Sequence, residues 1–146
     1  MNTKNFLVGA LIGGVVYFLL GWLLYGNLLH QYYLDHPGAV SNIDRTMDQF
    51  QWWALALGNL LFGCLLAYVF ARSGVSTLAG GLVVGGILGL FECAAIDMVM
   101  YGTTNIISKR WMVADIAAFT GMSAITGAVI GAVNGMMNRS STNTAA

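Results

Sequence analysis

The chain has 146 residues, 58% of them hydrophobic and only 8% charged, with 6 basic side chains balancing 6 acidic ones. A soluble domain carries about 25% charged residues, so this composition, with a mean hydropathy of +0.72, excludes an ordinary water-soluble globule. The length holds one domain, and zero net charge leaves no electrostatic case for a nucleic-acid partner.

A helix needs roughly 20 mostly apolar residues to cross the hydrocarbon core. The first such stretch covers residues 6–29. It is too long for a signal-peptide apolar region of about 7–15 residues. It continues as Gly21-Trp22-Leu23-Leu24-Tyr25-Gly26 rather than into a small-x-small cleavage site, so it reads as a retained first span. Its Gly9-x3-Gly13 offers one close-packing face.

Residues 30–51 form the only sizeable extramembrane segment, bracketed by Tyr32, Tyr33, Trp52 and Trp53 in the manner of an interfacial aromatic belt. Pro37-Gly38 signals a turn. Ser41-Asn42-Ile43-Asp44 offers a helix start, and Ile43, Met47 and Phe50 share a helical face, so an interfacial helix over 41–51 is expected. His30 and His36 around Asp35 match no standard ligand spacing, and no metal is expected there.

The second span covers 52–71 and contains Asn59 and Cys64. The third, 78–101, carries the ladder Gly81-x3-Gly85-x3-Gly89, then Glu92, Cys93 and Asp97. The fourth, 111–137, carries Asp115, Thr120 and Ser123, the second ladder Gly127-x3-Gly131-x3-Gly135, and Asn134. Residues 138–146, small and polar, read as a disordered tail. The runs are continuously apolar rather than alternating, which excludes a membrane β-barrel. The expected fold is therefore an all-α integral membrane protein, a single four-helix antiparallel bundle spanning 1–137.

Residues four apart stack on one helix face, and glycines there let backbones approach closely. With the third and fourth spans antiparallel, Gly81 is expected opposite Gly135, Gly85 opposite Gly131 and Gly89 opposite Gly127, which brings Glu92 to Ser123 with Thr120 nearby. An ionised carboxylate at that depth costs several kcal/mol on even the gentler scales, roughly 2.5–3.5. An interhelical hydrogen bond in a membrane returns only about 0.6. A dry Glu92 is therefore expected to be neutral. Asp97 and Asp115 are expected near each other at the far end of the pair, in an interfacial ion network with Lys109 and Arg110; the alternative is a cation or proton entry site, with a carboxylate relay descending from them to Glu92.

Lys4, Arg72 and Arg139 lie on one side of the four spans; Arg45, Lys109 and Arg110 lie on the other with Asp35, Asp44 and Asp48. The basic residues tie, and the acids lean the orientation towards cytoplasmic termini. Two cysteines inside spans suggest neither a disulfide framework nor a zinc site. The eight methionines read as packing residues, and no nucleotide-loop, serine-elbow or zinc-protease motif occurs.

The segment Gly21-Trp22-Leu23-Leu24-Tyr25-Gly26-Asn27-Leu28-Leu29 resembles the end of the first helix in small four-helix bacterial membrane proteins catalogued as domain-of-unknown-function family 1761. Tyr101-Gly102, then Trp111-Met112-Val113-Ala114-Asp115, then Gly127 to Gly131 are similar to that family's third connection and fourth helix. The resemblance implies four helices and a bacterial membrane; it implies no activity.

The leading expectation is a non-enzymatic packing or assembly subunit, or a homo-oligomer, in the bacterial cytoplasmic membrane, with the lipid bilayer as partner and no cofactor. The alternative is a proton- or cation-linked transporter or channel using Glu92, the default reading of an intramembrane acid. An enzyme acting on lipid would need a second polar group beside Glu92, and Ser123 or Asn59 would have to supply it.

Overall fold

The computed structural model describes residues 3–40, 43 and 45–143. Helix α1 (Thr3–Leu23) runs directly into a π-helical turn (Leu24–Leu28), closed by Leu29 N donating to Leu24 O at 2.7 Å. A short α2 (His30–Asp35) and a 3-10 turn (Met47–Gln49) follow, then α3 (Trp52–Ser73), α4 (Leu78–Thr103) and α5 (Lys109–Asn143). Four helices, Thr3–Leu28 with its π-helical end, α3, α4 and the greater part of α5, are long and apolar enough to cross a membrane. The fold is all-α with four spans.

The boundaries have local causes. Gly74 ends α3 at φ 74°, in the left-handed region that only glycine enters without cost, and its amide and that of Val75 both donate to Phe70 O. Thr77 caps α4, its side chain accepting from Gly80 N at 3.0 Å. The outer faces present large apolar side chains such as Leu7, Leu11, Trp22, Phe91 and Val99, as lipid-facing helices require.

Two expectations about the ends of elements are corrected. No continuous helix covers 41–51: Arg45 and Thr46 are non-helical, Thr46 is extended (ψ 160°), and only Met47–Gln49 turns. The capping residues Ser41, Asn42 and Asp44 lie outside the described residues. The polar tail does not begin at 138, because α5 continues to Asn143. Asn138 holds this extension to the start of α1, its Oδ1 accepting from Asn5 Nδ2 at 2.8 Å. Residues 144–146 lie outside the described part.

The helices do not form a ring with equal contacts. α1 packs chiefly on α3 and α4 packs chiefly on α5, while α1 and α5 join the two hairpins; α3 and α4, though consecutive, scarcely touch. α5 is the most enclosed of the four spans, with about twice the buried share of α3 or α4. At the centre Tyr17 of α1 stacks on Phe119 at 5.9 Å between centroids and meets Phe62 at 5.6 Å. Its hydroxyl donates to the fully buried Ser123 Oγ at 2.8 Å.

Candidate functional site

One face of α4 carries every buried residue of that helix, and these are spaced by four: Gly81, Gly85, Gly89, Cys93 and Asp97. The face packs on α5 at backbone contact. A Cβ added at Gly81 would strike Gly127 O, and one at Gly127 would strike Gly81 O. A Cβ at Gly85 would strike Ser123 O and come within 3.0 Å of Gly127 Cα, and one at Gly89 would strike Ser123 Oγ. In lipid no hydrophobic force drives helices together, so such close backbone packing is the main source of attraction.

The two ladders meet, but about one and a half turns away from the expected register. Gly127 sits between Gly81 and Gly85 rather than opposite Gly89. Gly131 faces Thr77 O and Gly81, and Gly135 faces Ser76 O, just before α4 begins. Matching ladder to ladder assumed that glycines face glycines. In the structure they interleave, a ridge on one helix fitting a groove on the other. The first helix adds its own small face: Gly13 and Gly14 meet Gly63 and Leu60 of α3, and Gly9 meets Ala67 and Ile130.

The same interleaving assembles a polar site. Below the glycines, Cys93 of α4 lies between Asp97 of the same helix and Asp115 of α5. The single Cys93 S–H is within reach of both Asp97 Oδ2 and Asp115 Oδ2, each 3.6 Å from Sγ, and can donate to only one of them at a time or be shared between them. The potential ligand atoms of these three residues all lie within 4.8 Å of one another. Asp97 is 4% exposed and Cys93 6%, while Asp115 is half-buried. From α2, Tyr33 donates its hydroxyl to Asp115 Oδ1 at 3.2 Å. Burial, reinforced by the Asp115 carboxylate, pushes the Tyr33 phenol well above its usual range, so it stays a neutral donor. Tyr33 is itself held between Tyr25 of the π-helical turn (6.0 Å) and Trp111 (4.9 Å). A π-helical turn is rare and often marks a functional position; here it aims Tyr25 towards the site.

Asp97 and Asp115 therefore come together as expected, but without the ion network. Neither pairs with Lys109 or Arg110; Arg110 Nη1 lies 3.1 Å from His36 Nε2 instead. That link belongs to a lacing of residues 36–39 with 104–108, in which Ser108 Oγ donates to His36 O at 2.7 Å and Ala39 N to Asn105 O at 2.9 Å. Two ionised carboxylates this close and largely removed from water would repel each other strongly. A shared proton or a bound cation removes the repulsion. Thiol and carboxylates together offer three ligand atoms to a cation.

Glu92 behaves differently from expectation. It is half-buried and has no hydrogen-bond partner among the described residues. Ser123 is taken by Tyr17, and Thr120 donates back to Ile116 O at 2.6 Å. The register shift is the reason: Ser123 packs beside Gly89, a turn away from Glu92. Asn59 donates to Leu55 O in its own helix at 2.7 Å, a structural role. His36 Nδ1 lies 2.9 Å from Tyr32 O and Asp35 accepts from Gln31, so these groups converge on no common point.

Sequence reasoning missed Cys93, Tyr33 and Tyr25. The signal for Cys93 was present, since the four-residue spacing of the first ladder continues through Cys93 to Asp97. An ideal straight wheel rotates that series off the glycine face. Helices that cross at an angle keep contact along the i±4 ridge, so the series stays at the interface. No known family model, curated protein or solved structure matches the chain.

Proposed function

We propose that this multi-pass membrane protein is a proton- or cation-linked transporter or channel whose ionisable site is Asp97 and Asp115 with Cys93, rather than Glu92. The observation that carries this reading is the pair of intramembrane carboxylates in contact through one thiol, with no basic residue against them. Charges inside a membrane are costly and are kept where an ion or proton must pass. Access is available from the loop side, because Asp115 lies six residues into α5, about 9 Å at 1.5 Å per residue, and is half-buried behind Tyr33. No enzymatic role is proposed, and both termini are taken as cytoplasmic in a bacterial inner membrane.

The assembly reading loses its main support. The glycine faces that motivated it are occupied within one chain, α4 on α5 and α1 on α3 and α5. A homo-oligomer would need some other surface.

Proteoliposomes with an internal pH dye and imposed proton, sodium or potassium gradients test the proposal. Wild type should move one of these ions faster than empty vesicles. Asp97→Asn and Asp115→Asn should each abolish the difference, while Glu92→Gln should retain it. Flux equal to that of empty vesicles for every ion, or flux indifferent to Asp97 and Asp115 but lost in Glu92→Gln, overturns the assignment.

A further inference from the structure

Cys93, Asp97 and Asp115 match no zinc spacing in the sequence, because they are divided between two helices. Cys93 and Asp97 stand four apart on the face of α4 that carries the glycines, so their side chains stack one above the other. Asp115 comes from the facing helix, and the potential ligand atoms of all three lie within 4.8 Å of one another.

Two observations point from this cluster to a bound cation. One is a buried acceptor short of a donor. The single thiol hydrogen serves one carboxylate at a time, and when it serves Asp115, Asp97 receives nothing from outside the cluster among the described residues. Asp97 is nevertheless 4% exposed, and a buried carboxylate in that state is strongly disfavoured. The other observation is spacing. Zinc–sulfur bonds of about 2.3 Å and zinc–oxygen bonds of about 2.0–2.2 Å, opened to the tetrahedral angle, set sulfur and oxygen about 3.5–3.7 Å apart. Both carboxylate oxygens lie 3.6 Å from Cys93 Sγ.

The donor set selects among cations. Magnesium and calcium take oxygen ligands and would leave the sulfur unused. One thiolate with two carboxylates suits a borderline divalent ion, zinc or a near neighbour. Three protein ligands leave a fourth tetrahedral position, the pattern of sites that exchange a ligand rather than of closed structural ones. Tyr33 donates to Asp115 Oδ1 at 3.2 Å, which leaves Oδ2 towards the thiol; outer hydrogen bonds of this kind orient metal ligands.

We infer that Cys93, Asp97 and Asp115 form a binding site for a zinc-class divalent cation, held by the thiolate and one oxygen of each carboxylate, with Tyr33 orienting Asp115. The thiol proton leaves to water as the ion binds, because the thiolate is the ligand. The inference names the cation of the transport reading and rests on its placing the ionisable site at these three residues. Binding is read at equilibrium, so a chain that binds the ion yet moves no ion in vesicles fails the transport reading and leaves the site standing.

Cobalt(II), titrated into the reduced full chain in detergent micelles, is the probe, because a thiolate ligand gives it a near-ultraviolet charge-transfer band that oxygen and imidazole ligands do not. Wild type should develop that band and saturate at one cobalt per chain. Stoichiometric zinc should bleach it, and a large excess of magnesium should not. Cys93→Ser should lose the band and Cys64→Ala should keep it. Tyr33→Phe, outside the ligand set, should keep the band but weaken cobalt binding about 10–100-fold. Asp97→Asn and Asp115→Asn should weaken binding at least as far. Wild type without the band, whether cobalt binds through oxygen alone or not at all, overturns the inference. So does a band that survives Cys93→Ser, disappears in Cys64→Ala or is abolished by magnesium, and unchanged affinity in Tyr33→Phe overturns the part given to Tyr33.

Discussion

Replacing Gly81 or Gly127 with alanine tests the α4–α5 contact most directly, because the two positions oppose each other's backbone. A Cβ at Gly81 would overlap Gly127 O and lie 3.2 Å from Ala128 Cα, and the reverse substitution would overlap Gly81 O and lie 2.9 Å from Gly85 Cα. No flexible side chain can swing aside, so the helices themselves must separate. Overpacking costs typically about 1–3 kcal/mol, and an unyielding backbone puts these sites at the upper end. Alanine's better helix propensity returns about 1 kcal/mol, leaving a net loss near 2 kcal/mol for each single substitution. Gly121 is the control: it lies in the same helix with nothing within 4 Å of an added Cβ, so Gly121→Ala should be neutral or stabilising by up to about 1 kcal/mol. The double variant should lose less than the two singles together, since one separation accommodates both methyls. Reversible unfolding in mixed micelles, followed by tryptophan fluorescence, measures the four variants against wild type. Gly81→Ala as stable as Gly121→Ala, or strictly additive losses, would refute the backbone-contact account.

Other consequences are open to the same assay. Tyr17→Phe and Ser123→Ala should each cost about 0.6 kcal/mol, the average for an interhelical hydrogen bond in a membrane, and the double variant little more than either; additive costs would mean that the 2.8 Å contact contributes nothing. Gly74→Ala should destabilise by about 1–2 kcal/mol through its left-handed backbone, with Gly74→Asn costing less, and equal values for the two would argue against that conformation. Cys93, buried between two acids, should resist a membrane-permeant maleimide until the protein is unfolded in SDS; mass spectrometry showing rapid labelling of native Cys93 would contradict its enclosure.

Spans were legible in the sequence because length and hydropathy decide them: the second, third and fourth helices contain the expected stretches, and the first falls one residue short of its expected end at Leu29. The partnership of α4 with α5 was legible too, since glycine at every fourth residue has few other uses in lipid. Register was not. Two ladders of equal spacing match at every offset of one turn, and nothing in Gly81–Gly89 or Gly127–Gly135 says whether glycines face or interleave. That offset moved Ser123 from Glu92 to Gly89 and left it for Tyr17. The cluster at Asp97 was half legible: its two acids were expected together, but Lys109 and Arg110 looked like their partners because they are close in sequence. The lacing of 36–39 with 104–108 draws Arg110 to His36, and contacts between two loops 70 residues apart leave no trace in local pattern. Tyr33 read as an interfacial aromatic for the same reason.

The uneven sharing of contacts bears on how the chain is built during synthesis. α4 and α5 are neighbours in sequence joined by a short connection, so their hairpin can close as soon as both have entered the bilayer. α1 must wait for α3, across the long excursion through α2 and the 3-10 turn, before its glycines find Gly63. The 74–77 turn links helices that owe each other almost nothing, and so resembles a hinge between two preassembled blades more than a folded corner. The last event is then the meeting of α1 with α5, when Tyr17 slides between Phe62 and Phe119 to reach Ser123. A chain stalled before that meeting would keep both hairpins yet leave a phenol and a hydroxyl facing lipid without partners.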